Sequence, residues 1–280
     1  MVQYINKIQK QGIKMNKIAF IGAGNMASAI AGGILKSNIA FPDQILLYDK
    51  NADQYKKFTE GCRISDGIPN ICKEADYIFL CVKPQNVKQV LNQISNYDLN
   101  GKIIISICAG ITIKSIENII GKQKIIRAMP NTPLLIGNGV TALCRNEFVN
   151  DDEFLFVTSL FSSSGYVEEL DEEDINGITA VTSSSPAYVY LFVKSMFEGA
   201  KKLNICSDNL EEMICKTLIG SANMILNDKR SLDELISMVK SPKGTTERAL
   251  NVFENNGFTD IIIEAMIECA KRADELSKLN

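Results

Sequence analysis

Short, nearly unbroken apolar runs alternate with helical stretches over the first 170 residues. The runs at 17–21, 44–48, 77–82, 102–107 and 124–129 lack the period-two alternation of a half-exposed strand. Such runs predict a parallel sheet covered on both faces, and the stretches between them supply the cover. These are a helix to about Lys36, one opened by Lys83-Pro84 and one over 112–120. Residues 140–144 read as a further strand, Asn150-Asp151-Asp152 caps a helix to about Ser163, and 165–170 make a last short strand. From 171 onward the pattern is helical: 187–203 behind Pro186, then 208–226, 232–238, 245–253 and 259–276. The helix at 187–203 is apolar on nearly all sides until Glu198 and needs cover on every face. Few elements remain to provide it, so a subunit interface is predicted. The expected division is an extension at 1–14, an α/β dinucleotide-binding domain at 15–170 and a helical substrate-binding and dimerisation domain at 171–280.

A chain of 280 residues has room for two cores, and a net charge of −3 gives no reason to expect nucleic acid or an anionic membrane as partner. No run approaches the ~20 apolar residues of a membrane span. Residues 1–14 have neither the apolar segment nor the cleavage pattern of a signal peptide, and Met15 stands immediately before the first strand. The eight cysteines form no CxxC pair. Cys81 and Cys108, at the ends of apolar runs, read as buried reduced thiols, and a cytoplasmic location follows. The chain has no histidine. That removes Ser-His-Asp and Cys-His catalysis and the His/Cys zinc patterns, and no metal site is predicted.

Gly22-Ala23-Gly24-Asn25-Met26-Ala27 is a GxGxxA motif between a strand and a helix. Gly22 permits the tight turn, Gly24 lets a pyrophosphate approach the backbone, and Ala27 keeps the helix close to the sheet. Asp49 ends the next strand, where a carboxylate accepts from the adenosine ribose hydroxyls and repels a 2′-phosphate. Asp49 leans the reading toward NADH, and the adjacent Lys50, able to pair with a phosphate, pulls toward NADPH. Lys83, Ser106, Ala109, Gly110, Pro130, Asn131 and Thr132 collect at the carboxyl ends of the strands, where such sheets bind ligands. The acids 171–174 read as a helix first turn favoured by its dipole. In Ser241-Pro242-Lys243-Gly244-Thr245-Thr246, Pro242 and Gly244 predict a turn into a helix. The amides of Gly244, Thr245 and Thr246 then face an anion, with two hydroxyls beside them. An ordinary capped helix gives the same signature.

GAGNMA at 22–27, VKP at 82–84, AG at 109–110, MPNTP at 129–133, SSSPAY at 183–188 and SPKGTTERAL at 241–250 follow one another in a telling order. In order and spacing the chain resembles the pyrroline-5-carboxylate reductase family from Lys17 to about Lys278. The resemblance implies reduction of Δ1-pyrroline-5-carboxylate to L-proline by NADPH or NADH, the last step of proline biosynthesis. It implies an N-terminal Rossmann-type, mostly parallel sheet and an all-helical C-terminal dimerisation domain, a 6-phosphogluconate-dehydrogenase-like plan. It also implies a homodimer through the helices, often assembled further. By position, Gly22, Gly24, Asn25 and Met26 would hold the pyrophosphate, with Val82, Lys83, Pro84, Ala109 and Asn131 on the nicotinamide side. Ser184, Ser241 and the amides of Gly244, Thr245 and Thr246 would bind substrate, and the Thr246 hydroxyl would bond the ring nitrogen. Two departures stand out: the run Ser183-Ser184-Ser185, where the family usually has glycines around the serine, and Lys243, where it commonly has glycine.

A protonated cyclic imine already carries the charge that hydride attack neutralises, so the missing histidine suits an imine reductase and is awkward for many carbonyl reductases. Two rivals share the plan. One is a β-hydroxyacid dehydrogenase or related imine reductase, which usually places a lysine early in the helical domain; here Lys194 sits mid-helix and reads as structural. The other is a non-catalytic dinucleotide-binding paralogue, supported only by the two departures.

Overall fold

The computed structural model describes residues 16–279, apart from the side chains of 278 and 279, so the extension at 1–14 lies outside the described residues. One eight-stranded sheet organises the first unit, in the order β3-β2-β1-β4-β5-β6-β7-β8. In chain order its elements are β1 (Ile18–Ile21), α1 (Asn25–Lys36), β2 (Ile45–Tyr48), β3 (Arg63–Ile64), α2 (Ile68–Glu74), β4 (Tyr77–Leu80) and α3 (Pro84–Ile94). Then come β5 (Ile103–Ser106), α4 (Ile113–Ile120), β6 (Lys124–Pro130), β7 (Gly139–Arg145), α5 (Asp151–Ser162), β8 (Gly165–Glu169) and α6 (Ile175–Ile178). All pairings are parallel except β6 with β7. β1, β4 and β5 are buried at every position, the reason their runs are unbroken.

Alternate residues of each strand enter separate cores. Ala19, Ile21, Ile78, Leu80 and Ile104 pack with α2, α3 and α4 on one face. Ile18, Phe20, Phe79 and Ile105 pack with α1 and α5 on the other. There Phe20 stacks on Phe79 at 4.8 Å between centroids, and Phe79 meets Phe161 at 5.8 Å. Each such ring contributes about 1.5–3 kcal/mol by burial. Beside β1 the strand order reverses, and the carboxyl ends of β2, β1 and β4 open a crevice there.

The second unit spans Ser185–Glu268. It holds α7 (Ser185–Lys202), α8 (Leu210–Asn227), α9 (Leu232–Val239), α10 (Thr245–Asn255) and the start of α11 (Phe258–Leu279). From Cys269 the chain rejoins the first unit. The compact units therefore part after Ser184, later than the expected 170/171, and the first reclaims the last helix. Packing explains both differences. Ile175 is fully buried against the sheet core, and Asn176 donates to Asp274 Oδ1 at 2.7 Å and Ser277 Oγ at 3.1 Å. Gly110 has φ +72°, and a Cβ there would lie 2.5 Å from the Leu276 side chain, so the Ala109-Gly110 turn admits the helix only as glycine.

Candidate active site

At the crevice, Gly22 donates its N–H to Tyr48 O at 2.8 Å, and Cys81 donates to Ile21 O at 2.8 Å. Gly22 has φ +96°, and a Cβ would sit 2.5 Å from Cys81 O, so the turn after β1 requires glycine. Gly24 differs: a Cβ there meets nothing within 4 Å. It is the N-cap of α1, with no side-chain cap and no acid in the first turn. The leading amides of that helix are left for a ligand, and the positive end of its dipole faces the same opening. This arrangement fits the pyrophosphate of a dinucleotide. Ala27 is buried beneath it.

A cavity of about 510 Å³ brings together Gly22, Gly24, Asn25, Asp49, Val82 and Lys83. Met26, Pro84, Ala109 and Asn131 are outside its lining, whereas Gln54, Lys57, Asn86 and Gln89 belong to it. Those four escaped sequence reading. Asn86 and Gln89 lie on α3, and Gln54 and Lys57 on a 3₁₀ turn, Ala52–Lys57, whose short pitch leaves no hydrophobic period.

Two predicted coenzyme residues have other partners. Asp49 Oδ2 accepts the Ala23 N–H at 2.7 Å and Oδ1 accepts the Asn51 N–H at 2.8 Å. Tyr55 Oη accepts from Asp49 N and donates to Asp49 O, both at 2.8 Å. Asp49 is thus a brace for the Gly-rich loop, and its lean toward NADH loses its physical ground. Asn131 is 7% exposed, donates Nδ2 to Thr182 O at 3.0 Å and accepts the Val140 N–H at 2.8 Å. Its carboxamide is spent on backbone, tying the end of β6 to the turn before α7, so the expected contact of that group with nicotinamide is corrected.

That turn is π-helical over Thr179–Ser183, and Ser184 N–H reaches back to Thr179 O at 2.9 Å. Ser184 Oγ accepts the Cys269 thiol at 3.2 Å, which leaves the hydroxyl proton free to point elsewhere. Cys108 donates to Val82 O at 3.1 Å, and burial pushes its thiol up to about 12, outweighing its bonds to Ser106 and Val82. It is a neutral, inert group under β4. All eight cysteines are unpaired.

In the second unit, Gly244 donates its N–H to Ser241 O at 2.9 Å. The expected three-amide cradle is therefore corrected to two, Thr245 and Thr246, which open α10 behind the Gly244 N-cap. A Cβ on Gly244 would strike Ser241 Oγ at 2.2 Å, so the Ser-Pro turn dictates the glycine. Lys243 has φ +60°, the left-handed region glycine favours, and its N–H donates to Glu247 Oε2 at 2.8 Å. Its side chain is exposed. Thr246 also lines an apolar cavity of about 500 Å³ with Met224, Ile225, Leu235, Ile236 and Leu250.

The acids 171–174 have a different task from the one expected. Glu172 Oε1 accepts the Ile113 N–H at 2.7 Å and faces Arg127 Nη1 at 3.5 Å, while Arg127 Nη2 donates to Asn176 at 2.6 Å. Arg127 is 1% exposed, and burial lowers its pKa while Glu172 opposes that shift. An arginine within an apolar run was the available signal for a buried partner.

Residues 172–276 match the family model for pyrroline-5-carboxylate reductase dimerisation, and 17–110 match that for NADP oxidoreductase, coenzyme F420-dependent. Pyrroline-5-carboxylate reductase of Escherichia coli is 35% identical over 265 residues, covering 94% of this chain and 98% of that one. Pyrroline-5-carboxylate reductase 2 of Bacillus subtilis is 30% identical, covering 94% and 96%. Among solved structures, Plasmodium falciparum pyrroline carboxylate reductase with NADP bound aligns with a TM-score of 0.88 at 30% identity, covering 95% of this chain and all of that one. Prephenate dehydrogenase from A. aeolicus, at 14% identity and a TM-score of 0.53, shares the fold alone.

Proposed function

This chain belongs to the pyrroline-5-carboxylate reductase family, NAD(P)H-dependent oxidoreductases of proline biosynthesis, and from that premise we propose how its residues divide the work. The cavity at the end of β1 takes the dinucleotide, with the first amides of α1 on the pyrophosphate and Val82 and Lys83 toward the nicotinamide. When bound, the reduced dinucleotide supplies the hydride. The substrate carboxylate is held by the amides of Thr245 and Thr246, with Ser184 and Ser241 as further hydroxyl donors. The Thr246 hydroxyl orients the ring nitrogen. As a C–H bond forms at the imine carbon, the C=N π pair passes to nitrogen, which keeps its proton. No side chain then has to deliver one, as a chain without histidine requires.

The observation that carries this division is the start of α10. Gly244 closes the turn with its own amide, so the next two amides and two hydroxyls are presented together at the positive end of the helix. Thr246→Ala is expected to slow turnover of pyrroline-5-carboxylate about 5- to 150-fold, the rate equivalent of a lost bond worth about 1–3 kcal/mol. NAD(P)H affinity should hardly change. Steady-state rates beside a fluorescence titration of NADPH test it, and equal loss of both would place Thr246 elsewhere.

The enzyme is a homodimer through the second unit, and dimers assemble further. The eight unpaired thiols support a reducing cytoplasm. On the coenzyme, preference for NADH rested on Asp49, whose two oxygens are committed to backbone.

A further inference from the structure

Three lysines, at 50, 56 and 57, stand near the carboxyl end of β2, and their partners differ. Lys56 Nζ pairs with Asp53 Oδ1 at 2.7 Å. Lys57 Nζ instead donates to two neutral amides, Asn25 Oδ1 at 2.6 Å and Gln54 Oε1 at 2.7 Å. Lys50 Nζ donates to a third, Gln89 Oε1 at 3.2 Å. Among the described residues neither has a carboxylate partner. Both line the cavity that holds the Gly-rich loop. Asp49, the natural counter-charge, already accepts a backbone N–H on each oxygen. The mouth of the cavity thus carries two ammonium groups and one internally occupied carboxylate.

We propose that Lys57, assisted by Lys50, forms the subsite for the 2′-phosphate of NADPH and makes the enzyme select NADPH over NADH. The inference rests on the assignment of this cavity to the dinucleotide and is independent of the imine chemistry. Geometry supports it in two ways. The adenosine ribose of a dinucleotide lies at the end of the second strand of such a sheet, beside Asp49 and Lys50. Lys57 is anchored to Asn25, the first residue of α1, which places its ammonium between the pyrophosphate loop and that strand end. An ammonium has three donors, and Lys57 uses two, so the third reaches a phosphate oxygen without releasing Asn25. NADH offers only a hydroxyl there and leaves both cations on neutral partners. Both lysines are exposed, so the attraction is screened by salt.

The test needs no turnover. Calorimetric titration of the full chain with adenosine 2′,5′-bisphosphate and with 5′-AMP, at low salt, is expected to favour the bisphosphate by about 10-fold or more, the equivalent of one charge-assisted bond. Lys57→Gln should bring the two ligands within about 2-fold of each other by loss of bisphosphate affinity alone. Lys50→Gln should narrow the gap partly, Lys56→Gln should leave it intact, and added salt should shrink it in the wild type. Equal affinities in the wild type, or a gap that survives Lys57→Gln, overturns the proposal. Direct titration with NADPH and NADH separates the two levels of failure. Equal tight binding of both removes the phosphate subsite and keeps the dinucleotide cavity; binding of neither removes the cavity assignment and the proposal with it.

Discussion

Gly22 and Gly24 stand two positions apart and answer to opposite constraints. Gly22→Ala would force a Cβ to 2.5 Å from Cys81 O at φ +96°, and is expected to cost at least about 2 kcal/mol of folding stability. Gly24→Ala puts its methyl into the open cavity, so stability should stay within about 0.5 kcal/mol while coenzyme affinity falls. Urea unfolding and NADPH titration of both variants check the pair, and a Gly24→Ala protein that binds NADPH normally would refute the cradle. These two roles were legible in the motif because its spacing encodes backbone geometry. The partners of Asp49 and Asn131 were not. A carboxylate near a ribose position and one bonded to Ala23, 26 residues back, look identical in sequence. Lys243 explains itself only through its φ of +60°, a conformation residue identity argues against.

At the scale of elements, the parallel strands could be read directly, since burial on both faces leaves only apolar choices. Residues 51–76 could not: a 3₁₀ turn, the two-residue β3 and the seven-residue α2 are each too short to impose a period. The acids before α6 were ambiguous for a different reason, because a helix dipole and a buried arginine both select glutamate. Their distinction is energetic. Arg127 is buried and Glu172 about a third exposed, so stranding the arginine is worse than stranding the glutamate, which water can reach. Glu172→Gln is expected to cost about 3 kcal/mol and Arg127→Met about 1–2 kcal/mol. Urea denaturation midpoints in the reverse order would show that the ion pair does not tie β6 to α6 and α11.

For the whole molecule, the second unit has very little interior of its own. Among the described residues only Ala200 and Ile214 are buried hydrophobics within Ser185–Glu268, while Leu191 is 65% and Val239 67% exposed. Apolar surface on that scale does not persist in water without cover. The all-round apolar helix at 187–203 had signalled this in sequence. Folding should therefore be coupled to dimerisation, with a 100-fold increase in protein concentration adding about 2.7 kcal/mol per dimer. A thermal midpoint that fails to rise over that range, with sedimentation reporting a monomer, would contradict it.

The chain leaves the first unit at Ser184 and returns at Cys269, and those two residues touch through a thiol–hydroxyl contact of 3.2 Å. Everything between is a closed excursion with its entry and exit at one point. Such a segment is a cassette: replacing it with the corresponding stretch of another member asks for a match at a single seam, without re-threading the sheet. Diversity in what these enzymes reduce can accordingly accumulate in the excursion while the nucleotide-handling frame is inherited unchanged.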